Sequence, residues 1–398
     1  MMCLPLRLCL GAALGLGLNG WVAFFIHLVF GWHEPWAPII VSLAILGIFL
    51  VLNKKIKSDD RIDIQHNWPP LVLLTFIVLF ISLEANHYPL GGWDAWSCWN
   101  LKAKFIYLGR ESWNTMFDPV LWRSNTQYPL LLPCINVWFW DLSGKDYAWV
   151  PMANSIAFVL LTAATLLFGL YNFSKQWLLP SAMTAAIFLL PFNVTLGAGQ
   201  YSDIVLGLYL LCAFVCFMAD ELTLCGLFLG LLSFTKTEGM VAAVILAVLI
   251  ILKYKKKRRS FLTAFVLAAL PTIIFTLFMA PRNEAFINGL TSFVKPSTLA
   301  RLQTIAVYPF FELASLKWNG LWILLLGGLA AYRNNALREK LQIFALFFML
   351  YLGTLLAYYQ VNTFFEITWW LQNTLNRILF ALLPSVMLWL GSSLLAKT

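Results

Sequence analysis

Four charged residues stand where long apolar runs begin or end: Asp94, Asp203, Lys236 and Arg377. Asp94 closes Gly91-Gly92-Trp93-Asp94, directly after an apolar run. A carboxylate there can take the proton of a hydroxyl as a general base. Trp93, Trp96 and Trp99 follow at three-residue spacing, near one face if the segment is helical. Asp203 lies in Gly199-Gln200-Tyr201-Ser202-Asp203, and Lys236 and Glu238 interrupt an apolar stretch at Thr235-Lys236-Thr237-Glu238-Gly239. A lysine ammonium can hold a phosphate as a point charge, and an arginine can do so with a two-pronged fork. Arg377 opens the last apolar run, and Arg282 follows an earlier one. Tyr128-Pro129 sets the entry into another apolar segment, 128–140.

Each position also has a purely structural reading. Asp94 suits an N-cap, with the tryptophans as an interfacial belt. Tyr128-Pro129 suits a turn and a proline at a helix start. Asp203 suits an acid wetted by lipid headgroups, and Lys236 and Glu238 suit the solvated charges of a hairpin. Arg282 and Arg377 suit arginines snorkelling to anionic lipid. The residue types leave both readings open at each position.

The elements that must position these residues are membrane helices. The chain has 398 residues, 61% hydrophobic and only 11% charged. A soluble domain carries about 25% charged residues, so a soluble enzyme, a fibrous protein and a disordered chain are all excluded. The apolar runs are helical in length, not the weakly alternating strands of a barrel. The expectation is an all-α polytopic membrane protein of about twelve transmembrane helices. The runs fall at roughly 8–30, 38–52, 69–86, 149–171, 177–196, 204–218, 222–235, 239–252, 261–280, 319–332, 341–359 and 377–396. The first run is too long for a signal peptide and reads as a retained span. Residues 1–68 form two N-terminal helices and a cytoplasmic loop, and 69–398 the main module.

With the N-terminus inside, inner loops carry roughly four times the Lys and Arg density of outer ones, which places both termini in the cytoplasm. The net charge of +9 reflects these loops, above all Lys253–Arg259, rather than nucleic-acid binding. Two large loops, 87–148 and 281–318, then face outward with interfacial helices, one of them the re-entrant segment 128–140. Asp94, Tyr128, Asp203, Lys236, Glu238, Arg282 and Arg377 all fall on that outer face. Carboxylates and cations together above apolar helices suit a reaction on a lipid-borne phosphate. Cys98 and Cys134 share one loop and leave a disulfide open if it faces an oxidising compartment.

At these motifs the chain resembles the GT-C superfamily of polyprenyl-phosphate-sugar glycosyltransferases. The nearest branch is the protein mannosyltransferase and aminoarabinose transferase group, often labelled glycosyltransferase family 39-like. The resemblance rests on Asp94 in the first large loop, Tyr128-Pro129, Tyr201-Ser202-Asp203-Ile204, the Thr235–Gly239 turn and Asn376-Arg377-Ile378-Leu379. Many members have two adjacent acids in the first loop, whereas Ala95 follows Asp94 here. The resemblance implies an inverting transfer of a sugar from polyprenyl phosphate to an acceptor hydroxyl or amine. Asp94 would be the base and Asp203 the second acid. Lys236, Arg377 and Arg282 would meet the donor phosphate. Trp93, Trp96, Tyr128, Tyr201 and Glu238 would contact sugar or acceptor, and the acids would orient hydroxyls or hold a divalent cation, Mg or Mn. The partners are then the lipid-linked donor, a lipid, glycan or protein acceptor, and the bilayer of a bacterial plasma membrane, with the site on the periplasmic face. The rival readings are an O-antigen ligase or polymerase and a lipid-linked glycan flippase or transporter. Charge-poor span interiors weigh against transport.

Overall fold

A computed structural model describes residues 2–52, 68–254, 258–282, 297–331, 338–362 and 365–395. Every described element is helical. Helix α1 (Leu4–Ala23) continues through a π turn to Val29, and α2 (Trp36–Leu52) and α3 (Trp68–His87) follow. After α3 the chain winds through a π turn (Ala95–Trp99) into α4 (Asn100–Gly109). Two 3-10 stretches lead on to α5 (Leu131–Ser143). Next come α6 (Trp149–Ser174), α7 (Leu178–Phe188), α8 (Pro191–Ala198), α9 (Ser202–Met218), α10 (Leu222–Ser233), α11 (Thr237–Lys253) and α12 (Arg258–Ile274). The last four are α13 (Ser297–Leu313), α14 (Leu321–Ala331), α15 (Arg338–Val361) and α16 (Ile367–Leu395).

Among the described residues, six helices are long and apolar enough to cross a membrane, or up to eight if each of two bent pairs is one span. This fits a polytopic membrane protein with fewer full-length spans than the twelve expected. Two differences account for most of the shortfall. The run 177–196 breaks between α7 and α8 with a 67° bend, at Pro191, which cannot continue the preceding helix's hydrogen bonding. The runs at 204–218, 222–235 and 239–252 form helices of 17, 12 and 17 residues. At 1.5 Å per residue these reach about 18–26 Å, short of a hydrocarbon core of about 30 Å.

Of these three short helices, α9 is the most enclosed. Every residue of α9 is buried, and it packs against α6, α10 and α16. Small residues allow the close approaches that a membrane interior relies on. A Cβ at Gly207 of α9 would lie 2.9 Å from the Ala381 carbonyl oxygen of α16. Gly226 and Gly230 of α10, spaced as Gly-x-x-x-Gly, meet the Phe261 and Ala268 backbone of α12 in the same way.

The bundle has two chemically distinct ends. At one, Lys340 donates to the Met218 carbonyl and to Asp220 Oδ2, both at 2.8 Å. Tyr254, beside the basic run, meets the ring of Phe217 at 5.6 Å. Lys255–Lys257, the middle of that run, lies outside the described residues, as do 53–67 of the expected cytoplasmic loop and 283–296 of the second expected outer loop. At the other end gather the end of α3, the start of α9, the α10–α11 turn and the first half of α16. The segment 128–140 does not cross the bundle. Its helix α5 begins against that turn, where Leu131 N–H donates to the Phe234 carbonyl at 3.1 Å. It runs beside α1 and ends where Asp141 Oδ2 meets His27 Nε2 at 2.7 Å.

Candidate active site

Because α9, α10 and α11 stop short, their polar ends lie inside the bundle rather than at its rim. A single chain of charges joins them. Arg377, about 15 Å along α16 by helical rise, donates through Nη1 to Asp94 Oδ2 at 2.6 Å. It donates through Nε and Nη2 to Asp203 Oδ2 at 3.0 and 2.7 Å. Lys236 donates to the other Asp203 oxygen, Oδ1, at 2.7 Å. Glu238 Oε1 lies 3.6 Å from the Lys236 ammonium. The Arg377 guanidinium also sits 4.3 Å from the centre of the Tyr201 ring, a cation–π distance.

This geometry shows what each charged side chain touches. Asp94 sits at a helix start yet makes no capping hydrogen bond; its side chain turns to Arg377. Asp203 is not wetted at a helix end, since its side chain is 2% exposed and accepts from three donors. Lys236 is not a solvated hairpin charge but is buried against Asp203. Arg377 pairs with two carboxylates instead of snorkelling to lipid. Arg282 is exposed.

Exposure separates these residues by role. Asp94, Arg377 and Glu238 keep 25%, 17% and 21% of their side chains accessible, against 6% for Lys236. Asp203, the most buried of the group, contacts both cations. The more accessible groups are Asp94 and Arg377, paired with each other, and Glu238 beside Lys236. Glu238 Oε2 is buried and has no hydrogen-bond partner among the described residues.

The backbone that presents Asp94 is tightly specified. Gly91 adopts φ +73°, the left-handed region that glycine favours. Gly92 N–H donates to the Gly199 carbonyl at 3.0 Å, and a Cβ at Gly92 would collide with the Tyr201 hydroxyl. Beneath this contact runs a ladder of side-chain amides. Asn154 donates to Asn136 at 2.8 Å, Asn136 to Asn100 at 3.1 Å, Asn100 to Gln200 at 2.9 Å, and Gln200 to the Pro89 carbonyl at 3.0 Å. The ladder ties α6, α5 and α4 to the turns carrying Asp94 and Asp203. A cavity of about 10 Å³ beside it, lined by Asn100, Asn136, Gln200 and Tyr201, has room for about one water.

Tyrosines wall the site. Tyr128 stacks on Trp99 with ring centres 5.7 Å apart. Burial pushes its phenol well above the usual range, and the nearby Glu238 carboxylate adds to the effect. Lys102 is buried over the Trp99 and Tyr128 rings, at 5.6 and 5.8 Å, and donates to the Asn125 carbonyl at 2.6 Å. Burial lowers its pKa, and the neighbouring Cys98 opposes that shift. Tyr359 of α15 hydrogen-bonds Thr374 of α16, one turn from Arg377. Asn362 donates to the Tyr358 hydroxyl at 2.9 Å. Trp93 and Trp96 stand apart from this wall, exposed and edge-to-face at 4.5 Å. Cys98 and Cys134 are both free thiols, not a disulfide.

The acids are bridged by Arg377 and Lys236, so the space between them already holds positive charge. Among the described residues, no three His, Cys, Asp or Glu side chains converge as metal ligands. The donor set therefore does not fit a divalent cation held between the acids.

The fold and site define a class: a helical, polytopic membrane protein with a recessed, charged and tyrosine-walled site at the end opposite its basic loop. Comparison with protein-family models, curated proteins and solved structures returns no match.

Proposed function

We propose that this protein is a membrane glycosyltransferase of GT-C type, moving a sugar from polyprenyl phosphate to an acceptor hydroxyl or amine with inversion. The observation that carries the reading is the Asp94–Arg377–Asp203–Lys236–Glu238 chain, recessed among apolar helices at one end of the bundle. A lipid tail needs an apolar lateral path, a phosphate needs an arginine, and a nucleophile needs an accessible carboxylate. The pairing of Arg377 with the partly exposed Asp94 at 2.6 Å supports this reading.

In this reading the donor enters between spans and its phosphate meets Arg377, which offsets the charge that grows on the leaving group. Lys236, behind Asp203, adds to the field without touching the phosphate. Asp94 takes the proton of the acceptor as it attacks the anomeric carbon. Glu238 Oε2 accepts from a sugar hydroxyl, and Tyr128 and Tyr201 pack on the sugar ring. Trp93 and Trp96 serve as an interfacial anchor at the mouth rather than as a sugar platform, in keeping with their exposure. The short helices α9 to α11 complete a transmembrane module of about twelve segments, embedded in a bacterial plasma membrane. The basic end faces the cytoplasm with both termini, and the site faces the periplasm.

The test is release of polyprenyl phosphate by the purified protein in lipid, supplied with labelled polyprenyl-phosphate sugars and a cell-envelope extract as acceptor source. Wild type is expected to release it, and Asp94→Asn to lose at least a hundredfold in rate while remaining folded. Equal rates in the two proteins would remove Asp94 from the chemistry, and no release with any donor would refute the assignment.

A further inference from the structure

The site as folded is not ready to bind a phosphate. Arg377 spends three of its five N–H donors on carboxylates, one on Asp94 and two on Asp203. Counted formally, three carboxylates face two cations, so the cluster carries one net negative charge. An anion approaching Arg377 therefore meets a carboxylate already in place. Asp94 is itself turned towards Arg377, because one of its two oxygens holds Nη1 at 2.6 Å.

The two carboxylates on Arg377 are not equivalent. Asp203 is sealed, with both oxygens occupied and 2% of its side chain exposed. Asp94 holds Arg377 by one hydrogen bond, keeps 25% of its side chain exposed, and has its other oxygen clear of that bond. The backbone beneath it is fixed by the Gly92–Gly199 bond, so only its side chain need turn. Asp94 is thus the exchangeable ligand of the guanidinium and Asp203 the permanent one.

We propose that the Asp94–Arg377 ion pair is a resting latch, opened by the phosphate of the donor; this rests on the function proposed above. The phosphate takes the place of Asp94 on Nη1, while Asp203 keeps Arg377 aimed. The freed Asp94 carboxylate turns to the acceptor. The acceptor oxygen or nitrogen then forms its bond to the anomeric carbon, and its proton passes to Asp94. The bond from that carbon to the phosphate oxygen breaks, and the electron pair leaves with the phosphate. The latch imposes an order: the Asp94 carboxylate is aimed at Arg377 until the donor phosphate is seated, and turns to the acceptor only then.

The experiment measures binding of farnesyl phosphate, with uncharged farnesol as the control, to the full chain in lipid nanodiscs. Wild type, Asp94→Asn, Asp94→Ala and Arg377→Gln are compared, with a thermal melt of each as the folding check. Removing the competing carboxylate should tighten farnesyl phosphate binding at least tenfold in both Asp94 variants and leave farnesol unchanged. Arg377→Gln should abolish the preference for the phosphate. Two Asp94 variants guard against one failing to fold. Unchanged or weaker phosphate binding in the folded Asp94 variants, with Arg377 still required, overturns the latch and leaves the phosphate site standing. No phosphate-dependent binding in any protein overturns both.

Discussion

Asp203→Asn is the substitution whose cost the structure sets most sharply. Asparagine keeps the shape of the side chain and removes its charge. Asp203 accepts from Lys236 and twice from Arg377, with 2% of its side chain exposed. Removing one partner of a buried charge pair typically costs about 3–5 kcal/mol, because the remaining charge is left without compensation. Here Lys236 keeps Glu238 at 3.6 Å and Arg377 keeps Asp94 at 2.6 Å. The loss therefore falls at the lower end, about 3 kcal/mol. Asp94→Asn breaks a more exposed pair that leaves Arg377 on Asp203, and should cost no more than about 1 kcal/mol. Reversible unfolding in mixed micelles with increasing dodecyl sulfate measures both on one scale. A loss below about 1 kcal/mol for Asp203→Asn would refute the view of this residue as the electrostatic anchor. So would an Asp94→Asn loss as large.

Two further outcomes follow from the surroundings of the site. Asn136→Leu orphans the Asn154 donor and the Asn100 acceptor, at about 1–3 kcal/mol for each group left unsatisfied. The same unfolding assay should show it, with a fall in transfer rate as the turn at Gln200 loses its support. Burial pushes the Cys98 thiol up to about 11, so little thiolate exists near neutral pH. Maleimide labelling of the native protein at pH 8 should spare Cys98 and modify it only after denaturation. Rapid native labelling would place that thiol at a surface.

The charged members of the site were legible because charge is rare in this chain. Asp94, Asp203, Lys236, Glu238 and Arg377 each interrupt an apolar run, and Lys and Arg density assigns such interruptions to a face. Their mutual contacts were not legible, since a residue at the end of a span does not announce its depth. Depth came from helix length: α9 and α10 end inside the bundle, and that is where Asp203 and Lys236 became partners. Arg282 has the same residue type and the same expected face, yet stands apart. The amide ladder and the tyrosines of α15 escaped for a related reason. Asn136 and Asn154, or Tyr358 and Tyr359, read in an apolar helix as ordinary packing until their partners are known. One signal was available: an asparagine inside an apolar helix needs a hydrogen-bond partner from another helix. Among the described residues fewer than twelve helices are full-length, in part because apolar runs predict burial and α9 is buried by protein.

The most direct measurement of the central claim is photo-crosslinking with a polyprenyl-phosphate sugar that carries a diazirine beside the phosphate, followed by peptide mapping. The account predicts adducts on the peptides bearing Tyr201, Tyr128 and Arg377, lost in Arg377→Gln and competed by unlabelled donor. Adducts at the Tyr254 end, or labelling indifferent to both competitor and Arg377, would contradict it.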